Sequence, residues 1–153
     1  MSAQRIRPAT ISDIDALDTI EKAVFTADRI SRRSFRTLID RPTAETLVIE
    51  ADGQICGYAM ILFRAGAALA RLYSLAVAPA HGGKGYGKAL LGAVAKIALD
   101  RGCPRLDWNV LSWNKPAIEF YEGLGATVLS DWWLCRAEGD ALPRLAAAAD
   151  RIF

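Results

Sequence analysis

The chain has 153 residues, of which 52% are hydrophobic and 24% charged, with a formal net charge of +2. That is enough for one domain with its own core, and too little charge to argue for a nucleic-acid partner, although it is compatible with an anionic coenzyme. His81 is the only histidine, and Cys56, Cys103 and Cys135 are far apart in apolar settings, so a metal site lacks ligands and the thiols read as buried and free. The opening "MSAQRIRPATISDIDALDTI" has no charged-then-apolar leader pattern. No apolar run approaches the ~18 residues that span a bilayer. A soluble cytoplasmic protein with no membrane partner is expected.

In chain order, "QRIRPA" reads as a short strand ended by Pro8. "TISDIDALDTIEKAVF" places Ile14, Leu17, Ile20 (or Glu21) and Val24 at helical spacing, with Ser12 as the expected N-cap. A second, shorter helix is predicted over "SRRSFRTLIDRP", capped by Ser31 and stopped before Pro42. "ETLVIEADGQICGYAMILFRAG" is a hairpin turning at Asp52-Gly53, and "AALARLYSLAVAP" is a third consecutive strand. "GKALLGAVAKIALDRGC" then gives a helix with Gly102 as its C-terminal stop. "PRLDWNVLS" reads as a strand, "KPAIEFYEGLGA" as a short helix, "TVLSDWWLCRAE" as a last strand and "DALPRLAAAADRIF" as a tail helix. Antiparallel strands come first and a β-α-β unit follows, which is an α+β pattern rather than a doubly wound one.

Between the third strand and the following helix lies Gly82-Gly83-Lys84-Gly85-Tyr86-Gly87-Lys88. Glycine-rich turns that open a helix hold phosphate, because bare backbone N–H groups and the helix N-terminus both face the anion. The stretch fits G-x-x-x-x-G-K, yet Ala89 stands where a nucleotide-binding P-loop needs Ser or Thr for Mg²⁺. Asp107 also falls early in its strand rather than at its end. A cradle for the pyrophosphate of a coenzyme is the stronger reading.

Leu75 to Leu91 resembles the acetyl-CoA motif of the GNAT N-acetyltransferase superfamily, Q/R-x-x-G-x-G/A after a strand ending V-x-P, here Val77-Ala78-Pro79. Gly82 departs from the pattern, where Gln or Arg is usual. A second segment resembles the family's N-x-x-A-I-x-x-Y-E-x-x-G, matched by Asn114, Ala117, Ile118, Tyr121, Glu122 and Gly125. The resemblance covers nearly the whole chain. It implies one domain over residues 1–153, with a mixed, mostly antiparallel sheet, splayed central strands and flanking helices. It also implies acetyl-CoA as cosubstrate, with the strand from Leu106 to Leu111 splaying from the one that ends at Val77.

By the same resemblance, Leu75 and Val77 pair with the pantetheine arm, and amides near Leu75 and Ala76 polarise the carbonyl. Gly82, Gly83, Lys84, Gly85, Tyr86, Gly87 and Lys88 cradle the pyrophosphate, and Asn114 and Ala117 touch the coenzyme. Tyr121 faces the thioester sulfur as proton donor, while Phe120 reads as core. Many relatives carry a base, Glu, where this chain has Tyr73, so Tyr73 and Ser74 are expected to line the acceptor pocket with water taking the proton. Glu21, Asp28 and Glu50 read as surface or capping charges.

The acceptor is expected to be an amine. The C-terminal half resembles diamine and spermidine acetyltransferases, and the N-terminal half resembles the ribosomal-protein alanine branch. Arg29, Arg32 and Arg33 in "TADRISRRSF" argue against a polycation, unless they are a solvated helix face. A catalytically weak acyl-CoA-binding module and a nucleotide binder stay as alternatives, and the apolar "WWLC" stretch offers an edge for a possible homodimer.

Overall fold

The computed structural model describes residues 4–66 and 68–151. Ala67, the first residue of the expected third strand, and Ile152 and Phe153, the end of the expected tail helix, lie outside them. The chain divides into two units, Met1–Asn109 and Val110–Phe153.

The first unit holds five strands: β1 (Gln4–Pro8), β2 (Ala44–Ala51), β3 (Gln54–Phe63), β4 (Leu69–Val77) and β5 (Arg105–Asp107). They pair in that order, antiparallel from β1 to β4 and parallel between β4 and β5. This is the mixed, mostly antiparallel sheet expected. The β2–β3 turn is Asp52-Gly53, with φ of 53° and 78°, the left-handed pair that a tight hairpin requires.

Helices α1 (Ile14–Val24), α2 (Arg32–Ile39) and α3 (Tyr86–Asp100) complete this unit. Ile14, Leu17 and Ile20 of α1 and Phe35 of α2 share a buried cluster with Val48, Tyr58, Met60 and Ala76 of the sheet. Phe35 meets the Tyr58 ring edge-on, at 5.5 Å between centroids. Side chains alternate along a strand, so Gly57 faces the other side, where Leu90 of α3 packs. A Cβ at Gly57 would lie 2.8 Å from the Ala76 carbonyl oxygen and 3.3 Å from Leu90 Cδ1, so it is the β4 backbone that requires glycine here. Helix α3 ends as the sequence indicates: the Cys103 amide donates to Ala98 and that of Gly102 to Leu99, with Gly102 at φ 77°.

The second unit holds α4 (Lys115–Gly123) and α5 (Ala141–Ala146), the latter continued by a 3-10 turn to Arg151. Pro116 lies in the first turn of α4, and Gly125 follows the helix at φ 98°.

Four expectations are corrected. The strand expected over 104–112 is only Arg105–Asp107, because the ladder with β4 closes at Arg71–Asp107. Residues 126–138 form no strand, and Trp132, Trp133 and Leu134 are exposed there, so hydrophobicity alone did not supply a pairing partner. Ser12 is not the N-cap of α1: it lies inside a 3-10 turn, Ile11–Asp13, where Asp13 accepts the Thr10 amide at 2.7 Å. Cys56 and Cys103 are buried free thiols, but Cys135 is exposed. Ser31 does cap α2, accepting the Ser34 amide at 3.1 Å.

Candidate active site

Strand β4 carries a bulge where the candidate residues lie. Met60 of β3 pairs with Ser74 and Ile61 with Leu72, which leaves Tyr73 as the extra residue. A bulge of this kind bends a strand and re-aims its side chains. Tyr73 is 49% exposed, whereas Ser74, opposite Met60, belongs to the face covered by α1 and α2. On its other edge β4 pairs with β5 only at Leu69, Ala70 and Arg71 among the described residues. The edge from Leu72 to Val77 therefore runs past the end of that ladder, as a strand must that offers its backbone to an extended ligand.

Directly after β4, Pro79–His81 forms a 3-10 turn and the glycine loop leads into α3. Gly83 and Gly85 have φ of 75° and 81°, and a Cβ built on either would meet nothing within 4 Å. Gly85 is the N-cap of α3 and provides no side-chain cap, so the first amides of a 15-residue helix keep their donors for a ligand. Lys84 lies 3.5 Å (Nζ to Nδ1) from His81. The Tyr86 side chain is buried and tilted toward the His81 ring, so what Tyr86 brings to the loop is its main chain. This open loop, these bare amides and the nearby cations Lys84 and Lys88 fit a pyrophosphate.

The remaining candidates lie in the second unit. Asn114 is the N-cap of α4, its Oδ1 accepting the Ala117 amide at 3.3 Å. Tyr121 is half-buried on α4, its ring 5.5 Å from that of Phe120. Burial pushes the Tyr121 phenol above its ordinary range, so it holds its proton at neutral pH.

Carboxylates behave differently from expectation. Glu21 is not a surface charge: it is 2% exposed and lies on the buried side of α1. Its Oε2 accepts the Ile30 amide at 2.6 Å, and its Oε1 accepts the Tyr58 hydroxyl. The Tyr58 oxygen in turn lies 2.7 Å from Ser74 Oγ. Burial, with the hydrogen bond to Glu21, pushes the Tyr58 phenol far above its ordinary range. One signal for Glu21 was in the sequence: positions 14, 17 and 21 form a helical stripe, and the third is charged. Glu50 is tied to Arg7, and exposed Asp28 sits at φ 53°.

The arginines are also partly committed. Arg32 binds Asp18 at 3.2 Å and Asp15, while Arg29 donates to the carbonyls of Phe25 at 2.6 Å and Lys22 at 3.3 Å. Arg33 and Arg36 line a hollow together with Ile11, Ser12, Ile14 and the ion-paired Asp15 and Arg32.

Residues 14–126 match the acetyltransferase (GNAT) family. The chain belongs to that family. The L-ornithine N5-acetyltransferase NATA1 of Arabidopsis thaliana is 56% identical over 59 residues, covering 39% of this GNAT chain and 26% of the plant enzyme. A putative [ribosomal protein bS18]-alanine N-acetyltransferase of Bacillus subtilis is 28% identical over 120 residues, 78% of each chain. Against the plant enzyme and a thialysine N-epsilon-acetyltransferase of Bos taurus the chain spans less than half the length of the curated relative. Aminoglycoside N-acetyltransferase AAC(6')-Iy in complex with CoA has the same fold, with a TM-score of 0.75 at 16% identity, covering 89% of this chain and 95% of that one.

Proposed function

We propose that this GNAT chain is one functional domain, residues 1–153, that transfers an acetyl group from acetyl-CoA to a primary amine. The observation that carries this reading is the bare N-terminus of α3 behind two left-handed glycines, following the β4 edge that has no β5 pairing beyond Arg71 among the described residues. The family match supports the one-domain reading, because residues 14–126 span both units. The solved relative that holds CoA supports the coenzyme.

Acetyl-CoA supplies an activated thioester. In this reading the amides of Gly82, Gly83, Gly85, Tyr86 and Gly87 bind its pyrophosphate, and Lys84 and Lys88 add charge. Leu75, Ala76 and Val77 present main-chain groups that hold the extended arm and polarise the carbonyl. Asn114 and Ala117 contact the coenzyme from the start of α4. Tyr121 gives its phenolic proton to the departing sulfur. Tyr73 and Ser74 line the side from which the amine approaches.

For the acceptor we favour an amine with a carboxylate or carbonyl nearby, as in a peptide N-terminus or an amino acid. Arg33 and Arg36 support that preference, since Arg32 already has two carboxylate partners. The similarity to an alanine N-acetyltransferase over most of the chain points the same way, and the similarity to an ornithine acetyltransferase is compatible with an amino-acid amine. The test compares a short alanyl peptide with spermidine at equal concentration. We expect the peptide to be favoured by about tenfold, with the preference weakening as salt rises. Clear preference for spermidine would replace this acceptor with a polyamine.

A second reading, an acyl-CoA-binding regulatory module, has one observation in its favour: Tyr73 stands at the bulge where many relatives carry an acid. It predicts coenzyme binding without turnover.

A further inference from the structure

The mechanism above leaves Glu21 unused, although it is the most deeply buried of the carboxylates placed inside the first unit. It holds together three separate pieces of chain: the α1–α2 connection through the Ile30 amide, β3 through Tyr58, and β4 through the Tyr58–Ser74 contact. As a carboxylate it has no proton to give and can only accept. The single hydroxyl proton of Tyr58 is therefore directed at Glu21. The contact between Tyr58 and Ser74 then needs its proton from Ser74, because Tyr58 has none left. Ser74 Oγ, with its own proton turned inward to Tyr58, has only lone pairs to offer elsewhere.

We propose that Glu21 is a positioning residue for the acceptor, ordering the Ser74 hydroxyl through Tyr58 so that Ser74 Oγ accepts a hydrogen bond from the incoming N–H donor. The inference rests on the amine-acetyltransferase reading and deepens it. An amine or ammonium group presents N–H to such an oxygen, whereas an ester or carbonyl oxygen would meet only lone pairs. Ser74 is half-buried and adjoins the bulge residue Tyr73, which is itself exposed. Glu21 and Tyr58 are buried, and in a low-dielectric setting a chain of this kind keeps one proton order instead of sampling both.

The proton order makes Glu21→Gln informative. The new amide can still accept from Ile30, but its NH₂ then faces Tyr58 as a donor. Tyr58 must turn its proton to Ser74, and Ser74 must turn its own outward. The oxygen that offered two lone pairs to an incoming N–H is left with one and now presents its own proton beside it, in nearly unchanged volume.

The experiment measures free thiol released from acetyl-CoA with an alanyl peptide, L-ornithine and spermidine, using wild type, Glu21→Gln, Ser74→Ala and the double variant. With the best of these amines, Glu21→Gln should raise the amine KM by about tenfold or more and leave the acetyl-CoA KM unchanged. In the Ser74→Ala background the same substitution should add less than about twofold, because the group it acts through is gone. An equal factor in both backgrounds, or an unchanged amine KM, overturns the inference while wild-type turnover keeps the reading beneath it. If wild type releases no thiol with any of the amines, both fall. Should Glu21→Gln fail to fold, Tyr58→Phe replaces it, since it keeps the ring against Phe35 and removes the link. It must then raise the amine KM only where Ser74 is present, and equal effects in the two backgrounds overturn the inference.

Discussion

Single side chains set the chemistry, and two of them give direct predictions. Tyr121→Phe keeps the ring and removes the proposed proton donor. We expect turnover to fall by about 10²-fold or more with acetyl-CoA affinity little changed, as general acids of this kind contribute that much. Equal turnover in both proteins would leave Tyr121 as a packing residue. Asp13 makes a prediction about pH. Its carboxyl is held below the usual range chiefly by the Arg7 hydrogen bond, 2.8 Å away, with the Thr10 amide adding to it and burial opposing it. A carboxyl depressed in the folded state stabilises above its unfolded value near 3.8 and loses that contribution as pH falls through the folded one. Thermal melting should therefore show wild type losing stability below about pH 4, and Asp13→Asn flattening that slope while lowering stability at pH 7. Parallel curves would remove the ion pair from the acid response. At this scale the sequence showed residue types better than environments. Tyr121 and the loop glycines stand out from their motifs, but Glu21 read as a surface charge. Its burial depends on Ile30 and Tyr58 arriving from elsewhere in the chain, and no local pattern encodes that meeting.

Among elements, the decisive ones are β4 and the start of α3. The glycine loop should act through its backbone. Gly85→Asp introduces a carboxylate at the bare helix start and should weaken acetyl-CoA binding by about tenfold or more. Lys84→Ala removes an exposed charge and should cost no more than about 1 kcal/mol. Calorimetric titration of both variants decides, and a larger loss from the lysine change would contradict the main-chain cradle. Gly57 makes the corresponding packing prediction. Gly57→Ala should destabilise the fold by about 1–3 kcal/mol in denaturant unfolding, since the added methyl meets backbone of β4 that cannot step aside. A neutral change would mean that β3 and α3 shift freely. Elements with local grammar were legible: the Asp52-Gly53 turn, the Ser31 cap, and the Gly102 stop. The length of the strand expected over 104–112 and the existence of one over 127–138 were not, since a strand extends only where a partner edge is in register. Apolar runs such as "WWLC" carry no information about that edge.

For the whole molecule, the antiparallel-then-parallel order of the sheet explains why one strand can serve two purposes. Strand β4 pairs with β3 from Ala70 to Val77, yet beyond Arg71 its other edge has no β5 pairing among the described residues. Its end leads straight into the loop proposed to hold the pyrophosphate. Fold class and family were readable from the order of elements and two spaced motifs. The acceptor was not, because charges in "TADRISRRSF" count only after their partners are known, and Asp15 and Asp18 neutralise Arg32. The most direct measurement of the proposed activity is thiol release from acetyl-CoA with and without an amine, using the purified wild-type chain. Release that saturates in both reactants, with matching acetylated amine found by mass spectrometry, is predicted. Tight acetyl-CoA binding with no release above spontaneous hydrolysis for peptide, amino-acid and polyamine alike would contradict it, and would make this GNAT chain a binding module.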